Sequence, residues 1–365
     1  MSDRTGPGAR ASRADVPDDG RSTGVRTEGD PREGLVDDRA VASPLHRDVP
    51  DAAEHQSASE TPQAVGQAGG DLRQQSLWGD AWRTLRRKPT FLFGITVLAV
   101  LTVMAVRPQL FTTTDPRATD LSRSLDPPSA DAWFGVDVQG ADFYANVIYG
   151  ARVSMLIGVT VVVGAVLIAV VLGSLAGFYG GTVDTVIARL TDVVYGLPFI
   201  LGAILILQTL PGIGERLGLQ EGTDRGLPHV VIALVVLSWM TPMRLVRSTV
   251  LSVKEQDYVR AAVALGAGTR RIIVRHVLPN AVAPVLVYAT ILAGSVIAAE
   301  AALSFLGVGL QLPAISWGVQ LNLAQDYLRT APHLLLFPGL FLSITVLSFI
   351  LVGDALRDAL DPKLR

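Results

Sequence analysis

The stretch from residue 153 to residue 182, VSMLIGVTVVVGAVLIAVVLGSLAGFYGGT, contains no charged side chain. A helix needs about 20 apolar residues to cross the hydrocarbon core of a bilayer. An open sheet cannot cross it, because the N–H and C=O groups at its edges would have no partners. The stretch therefore predicts a membrane-spanning helix and an all-α fold.

Five further runs are uncharged between their ends and long enough for the same role: Pro89–Val106 and residues 192–215, 226–243, 277–299 and 330–353. We therefore predict a polytopic membrane protein with six transmembrane helices. Residues 306–325 are also uncharged, but glycines and a proline interrupt them, so we interpret them as an external re-entrant or interfacial segment. Three tryptophans are expected in aromatic belts at the membrane surfaces: Trp78, Trp239 and Trp317.

Orientation follows from the Lys and Arg residues near the ends of the spans, which favour the cytoplasmic side. Basic residues precede the first run, follow the fourth and follow the sixth: Arg83, Arg86, Arg87 and Lys88, then Arg244, Arg247 and Lys254, then Arg357, Lys363 and Arg365. With six spans these groups lie on one side. We predict that both termini are cytoplasmic.

The chain divides by composition into three parts. Residues 1–75 are rich in Asp, Arg, Gly, Ser and Pro, and we predict a disordered tail without a cleavable signal peptide. Residues 76–90 predict an amphipathic cytoplasmic segment. Residues 91–365 form the six-helix transmembrane domain, in which residues 244–280 are the longest cytoplasmic loop.

Several kinds of chemistry have no motif in the sequence. There is no GxxxxGK[ST] phosphate loop, no HExxH pair and no GxSxG nucleophile elbow, and the chain has no cysteine. Basic residues without interleaved aromatic residues give no support to nucleic-acid binding. We therefore predict no catalytic residue, metal site or cofactor, and a membrane conduit rather than an enzyme.

The longest cytoplasmic loop contains YVRAAVALGAGTRRIIVRHVLPN, residues 258–280. Its alanines and glycines predict short helices that another protein can approach closely, so that the segment would act as a handle. Its arginines can pair with acidic groups of that protein or with lipid phosphates. The alternative is that Arg270, Arg271 and Arg275 only satisfy the charge rule for cytoplasmic loops.

The order of residues in this loop resembles the "EAA" loop of importer-type ABC transporter permeases, whose short helix docks into the ATPase subunit. Blocks at residues 76–89, 150–159, 177–198, 298–318 and 353–365 are similar to the dipeptide, oligopeptide and nickel importer family, specifically to the C-type permease. The family usually has Glu where Arg260 stands. The resemblance implies a set of ATPase-coupling residues: Arg260, Ala261, Ala262, Leu265, Gly266, Ile272, His276, Leu278 and Pro279.

The resemblance also implies partners and a location. They are a homologous permease forming a heterodimer, two ABC ATPase subunits, an extracellular solute-binding protein, and the lipid of a bacterial inner membrane. Peptides are the implied cargo, with nickel or another small solute as the alternative. A transporter driven by an ion gradient is a further alternative, which predicts several intramembrane ionisable residues and inverted repeats.

Three residues are candidates for translocation or gating: Glu300, Ser304 and Asp192. Glu300 follows an apolar run near the outer end of the fifth predicted span, where a carboxylate is costly unless it is paired or hydrated. It is either a functional residue or a helix-end carboxylate that reaches external water. Asp192 can pair with Arg189 three residues earlier and anchor the third span at the cytoplasmic surface.

Overall fold

The computed structural model describes residues 77–216 and 226–360, and the described residues form helices without a β-strand. The predicted disordered tail lies outside them. In chain order the helices are α1 Leu77–Leu85, α2 Pro89–Val106, α3 Phe143–Tyr179, α4 Gly181–Tyr195, α5 Phe199–Arg216, α6 Leu227–Ser238, α7 Met240–Lys254, α8 Asp257–Ala264, α9 Thr269–Ile272, α10 Leu278–Phe305, α11 Trp317–Ala324 and α12 His333–Leu360. The all-α prediction is confirmed.

The helices that could cross a membrane number four to six in the described ranges. Four are unbroken: α2, α3, the continuous stretch Thr269–Phe305, and α12. Two bent pairs complete the set, α4 with α5 at 94° and α6 with α7 at 41°. The prediction of six spans is met when each bent pair counts as one span.

The breaks and ends of the spans have local causes. Pro198 disfavours helical backbone at Leu197, and α4 ends just before this pair. The Asp142 carboxylate caps α3 by accepting a hydrogen bond from the Ala145 N–H at 2.7 Å, so that α3 begins ten residues before the predicted span. The predicted loop at residues 244–280 is shorter than expected, because α7 continues to Lys254.

Helix α3 packs along α7 through two glycines that are four residues apart. A Cβ atom on Gly173 would lie 2.8 Å from the Val246 Cβ atom, and one on Gly177 would lie 2.7 Å from the Val250 Cβ atom. Only glycine permits this approach, since real Cβ atoms do not come so close. The Gly-x-x-x-Gly spacing therefore brings the two backbones together, as in other membrane helix pairs.

The helical bundle has two ends. One end, which we call the α8 end, carries α1, α4, α8 and α9 together with the last turns of α7 and α12. The other end, the α11 end, carries residues 107–142 and α11. Trp317 begins α11 and is fully buried, with its Nε1–H donating to the Val147 carbonyl oxygen at 3.0 Å. The expectation that Trp317 lies in an interfacial belt is therefore wrong.

Candidate functional site

Residues 244–280, called the coupling segment below, form a compact unit at the α8 end. Helix α8 ends at a turn in which the Gly266 N–H donates to the Val263 carbonyl at 2.9 Å and the Ala267 N–H donates to the Ala262 carbonyl at 3.0 Å. Gly266 has φ +81°, a conformation that favours glycine. No atom lies within 4 Å of a Cβ added there, so the turn opens to its surroundings.

The inner face of the coupling segment is apolar. Val259 of α8 and Ile272 of α9 are each 2% exposed. They lie in one cluster with side chains of α7, of the turn before α10 and of α10: Val246, Val250, Val253, Val277 and Val285. Ile272 was predicted as an ATPase-coupling residue, and its side chain is buried within the chain. Its role in the segment is to hold α9 against the bundle.

The outer face of the coupling segment carries most of the other predicted residues. Leu265 is 89% exposed and Val263 is 55% exposed, while Ala261 and Gly266 are also exposed and Ala262 is half-buried. Burying an exposed leucine against another surface stabilises an association by about 1.5–3 kcal/mol. The small residues beside it leave the helix backbone accessible to a partner.

Arg260 lies on the outer face of α8 and pairs with Glu255 at 2.6 Å. The hydrogen bond to Glu255 raises the pKa of the Arg260 guanidinium above its usual value. Both side chains are more than 60% exposed, so solvent screens the pair and its contribution to stability is small. Arg260, which stands where the family usually has Glu, therefore pairs with a carboxylate of the same segment, that of Glu255.

A polar contact ties α8 to the start of α10. The Asn280 side-chain amide donates to the Tyr258 hydroxyl at 3.3 Å and to the His276 carbonyl at 2.5 Å. The rings of Tyr258 and His276 lie 5.9 Å apart. Leu278 is half-buried and Pro279 is exposed in the first turn of α10. The Asn280–Tyr258 hydrogen bond therefore joins α8 directly to the first turn of α10.

Two arginines of α7 pair with acidic residues of α4. Arg247 donates from Nε and Nη2 to the two carboxylate oxygens of Asp184, at 2.5 and 2.6 Å. Arg244 donates to Asp192 at 3.1 Å. Asp192 also lies 3.8 Å from Arg189, which confirms the predicted i,i+3 pair. The structure therefore places Asp192 in the connection between α4 and α7.

Glu300 is fully buried near the α11 end. Its Oε1 atom accepts hydrogen bonds from the Ser304 hydroxyl at 2.8 Å and from the Ser316 hydroxyl at 3.1 Å. The alternative that this carboxylate reaches external water is wrong, because its exposed fraction is 0%. Ser304 in turn accepts from the Leu310 N–H at 3.0 Å. Glu300 and Ser304 thus join α10 to the loop that precedes α11.

Helix α11 is held against α3 and α10 by close contacts. The Trp317 N–H donates to the Ser154 hydroxyl at 3.3 Å, and the Gln320 side-chain amide donates to the Asn146 carbonyl at 2.7 Å. A Cβ on Gly318 would lie 2.7 Å from the Ser304 Cβ atom. The segment predicted as re-entrant or interfacial is therefore packed into the bundle, as a re-entrant segment would be, and does not lie on its surface.

Sequence reasoning missed the residues that pair with the predicted ones. Arg244 and Asp192 are 52 positions apart, and Ser316 and Glu300 are 16 apart, so helical spacing gives no signal for either pair. The signal that exists is a charged or hydroxyl residue inside an otherwise apolar segment, which needs a partner.

The chain matches two family models. "Binding-protein-dependent transport system inner membrane component" matches residues 169–365, and "N-terminal TM domain of oligopeptide transport permease C" matches residues 76–128.

Named relatives are similar over most of their lengths. The oligopeptide transport system permease protein OppC of Bacillus subtilis is 38% identical over 80% of this chain and 91% of its own. The dipeptide transport system permease protein DppC of the same organism is 39% identical over 78% of this chain and 86% of its own. The glutathione transport system permease protein GsiD of Pectobacterium atrosepticum is 35% identical over 81% and 94%.

Proposed function

We propose that this chain is a permease subunit of an ABC importer with peptides as cargo. The chain belongs to the binding-protein-dependent transport system inner membrane components, and the proposal starts from this membership. The cargo rests on the relatives, which are named as oligopeptide, dipeptide and glutathione permeases. Nickel or another small solute is the alternative cargo. The chain would act in the bacterial inner membrane beside a homologous permease, each supplying half of the translocation path.

The observation that carries the proposal is the form of the coupling segment. Its outer face presents Leu265 and small residues, while its inner face is locked to α7 and α10 by Val259 and Ile272. The sequence has no phosphate loop with which to hydrolyse a nucleotide. Such a surface suits the docking of a separate ATPase, and two ATPase subunits would serve the permease pair.

The contacts of the coupling segment suggest how ATPase motion reaches the membrane helices. A displacement of α8 would move α7 and α10, because the three share one apolar cluster. It would also move α4, which Arg247 holds through Asp184. The spans would then exchange inward-open for outward-open packing. ATP and cargo can drive this exchange only by binding the two states with different affinities.

The proposal places the α8 end in the cytoplasm and the α11 end outside. The support is the basic character of the α8 end, where Lys and Arg residues of cytoplasmic loops are expected. An extracellular solute-binding protein would then deliver cargo at the α11 end. Both termini would lie in the cytoplasm.

Glu300 and Ser304 would act as gating residues by holding the α11 segment. The hydrogen bonds from Ser304 and Ser316 to Glu300 close the loop between α10 and α11. Opening the loop would leave the buried hydroxyls of Ser304 and Ser316 without their acceptor, and this cost keeps the loop in one arrangement. Asp192 would act at the opposite end, where it joins α4 to α7.

Reconstitution tests the proposal directly. The permease pair, its ATPases and its binding protein would be placed in proteoliposomes, and uptake of a labelled peptide would be measured. We expect uptake only when ATP is present on the side of the coupling segment, and no change when ionophores collapse the ion gradients. Uptake without ATP that ionophores abolish would instead establish a gradient-driven transporter.

A further inference from the structure

We propose that Arg270, Arg271 and Arg275, with Val274 among them, form a binding site for the phosphate group of an anionic phospholipid. All three arginines are exposed, and Val274 is 57% exposed. They line an open cleft of ≈ 690 Å³ together with Gly268 and Thr269. The inference concerns the lipid around the protein and is independent of the cargo that the permease carries.

The three guanidinium groups have no acidic partner within 4 Å in the part of the chain that the structure describes. The nearby Arg260 is different, since it pairs with Glu255. Arginine presents several N–H donors in a fixed plane and binds phosphate oxygens in pairs. The unpaired arginines are therefore free to bind an anion from outside the chain.

The length of the helix places these arginines at the depth of lipid headgroups. Thr269–Phe305 is one continuous helical stretch of 37 residues. At about 1.5 Å per residue it is about 55 Å long, which exceeds the hydrocarbon thickness of about 30 Å. The uncharged run begins at residue 277, directly after Arg275. The arginines therefore lie just outside the hydrocarbon core.

An exposed apolar stripe continues from the arginines into the membrane. Val282 is 48% exposed and Leu286 is 42% exposed, and they lie four residues apart on α10. Residues at this spacing share one face of a helix. A phospholipid needs an anion-binding group at the headgroup and an apolar surface along its acyl chains. This arrangement favours a lipid over an acidic protein surface, which would need no apolar stripe at membrane depth.

The test is native mass spectrometry of the full-length permease, titrated separately with phosphatidylglycerol and with phosphatidylcholine of the same acyl chains. We expect tighter binding of phosphatidylglycerol. The triple variant Arg270→Gln, Arg271→Gln, Arg275→Gln should lose affinity for phosphatidylglycerol on the order of 100-fold, and each single variant about fivefold, from the usual contribution of a basic residue beside an anionic lipid. Glycerol phosphate, which has no acyl chains, should compete weakly.

Matched controls separate this site from general charge and from folding. A second triple variant replaces three exposed arginines of the opposite end, Arg107, Arg117 and Arg329, with Gln and should bind phosphatidylglycerol as the wild type does. If the first triple variant does not fold, the same lipid titrations would be made with the single variants and with an Arg-to-Lys triple variant.

Two results would overturn the proposal. The first is equal binding of the two lipids by the wild type. The second is unchanged binding of phosphatidylglycerol by the variants at residues 270, 271 and 275. If these variants also lose ATPase capture, the second result would assign the three arginines to the ATPase interface.

Discussion

Arg247 of α7 binds both carboxylate oxygens of Asp184 of α4, across a gap of 63 positions in the chain. Both side chains are partly shielded from solvent, with exposed fractions of 35% and 23%. A two-point contact of this kind fixes orientation as well as distance. It connects α7, which forms the first part of the coupling segment, with α4, which precedes the bend to α5.

We expect Arg247→Met and Asp184→Ala each to lower the stability of the permease by about 2 kcal/mol, because each leaves a charged partner without its hydrogen bonds. Transport should fall by more than stability alone explains. A double-mutant cycle on denaturant unfolding measures the interaction. Strictly additive effects of the two substitutions would show that the pair does not couple α4 to α7.

Gly266→Leu should weaken ATPase attachment and leave membrane insertion intact. The added side chain meets no atom of the chain within 4 Å of its Cβ, so the effect on folding is confined to the strained φ of +81°. Gly180→Leu is the matched control, since Gly180 also has positive φ and open space but lies outside the coupling segment. Pull-down of the ATPase measures attachment. Capture of the ATPase at full stoichiometry by Gly266→Leu would mean that the ATPase binds outside the coupling segment.

Glu300→Ala should destabilise the α11 end by about 3 kcal/mol, because it leaves the hydroxyls of Ser304 and Ser316 without their acceptor and opens a cavity. Glu300→Gln keeps a carbonyl oxygen at that place and should retain most of the stability. Limited proteolysis of the loop between α10 and α11 reports its release. Equal rates of proteolysis for both variants and the wild type would show that Glu300 does not hold this loop.

Deletion of residues 1–70 should leave transport largely unaltered, because their composition predicts a solvated tail. Transport by the truncated and full-length chains would be compared at matched expression. Complete loss of transport with normal expression of the shortened chain would assign the tail an essential function.

The sequence was sufficient for the all-α fold, because hydrophobic length determines which segments cross a bilayer. Helix α2 has the predicted bounds Pro89–Val106. The bend between α4 and α5 was not predicted, although Pro198 is a local signal for it. The amphipathic α7 was interpreted as part of a loop, because its polar residues made the segment too polar to be recognised as a span. The valines that pack on α3 were therefore not recognised as a helical apolar face.

For the candidate site, the sequence indicated which residues were candidates, but it did not indicate which of them are in contact in the folded chain. Resemblance identified the coupling segment, and the structure distinguishes its outer residue Leu265 from its buried residue Ile272. The partners of Glu300 and Asp192 depend on tertiary packing. Pairwise contacts between distant segments have no periodic signature in a single chain.

Cysteine crosslinking at Ala262 is the most direct test of the central claim, that the α8 end faces the cytoplasm and contacts an ATPase. The chain contains no cysteine, so Ala262→Cys provides a single reactive thiol. Ala130→Cys in the exposed loop of the α11 end is the control. The account predicts a crosslink from residue 262 to the ATPase and labelling of residue 130 alone by an impermeant reagent added outside cells. Labelling of residue 262 from outside, with no crosslink to the ATPase, would contradict it.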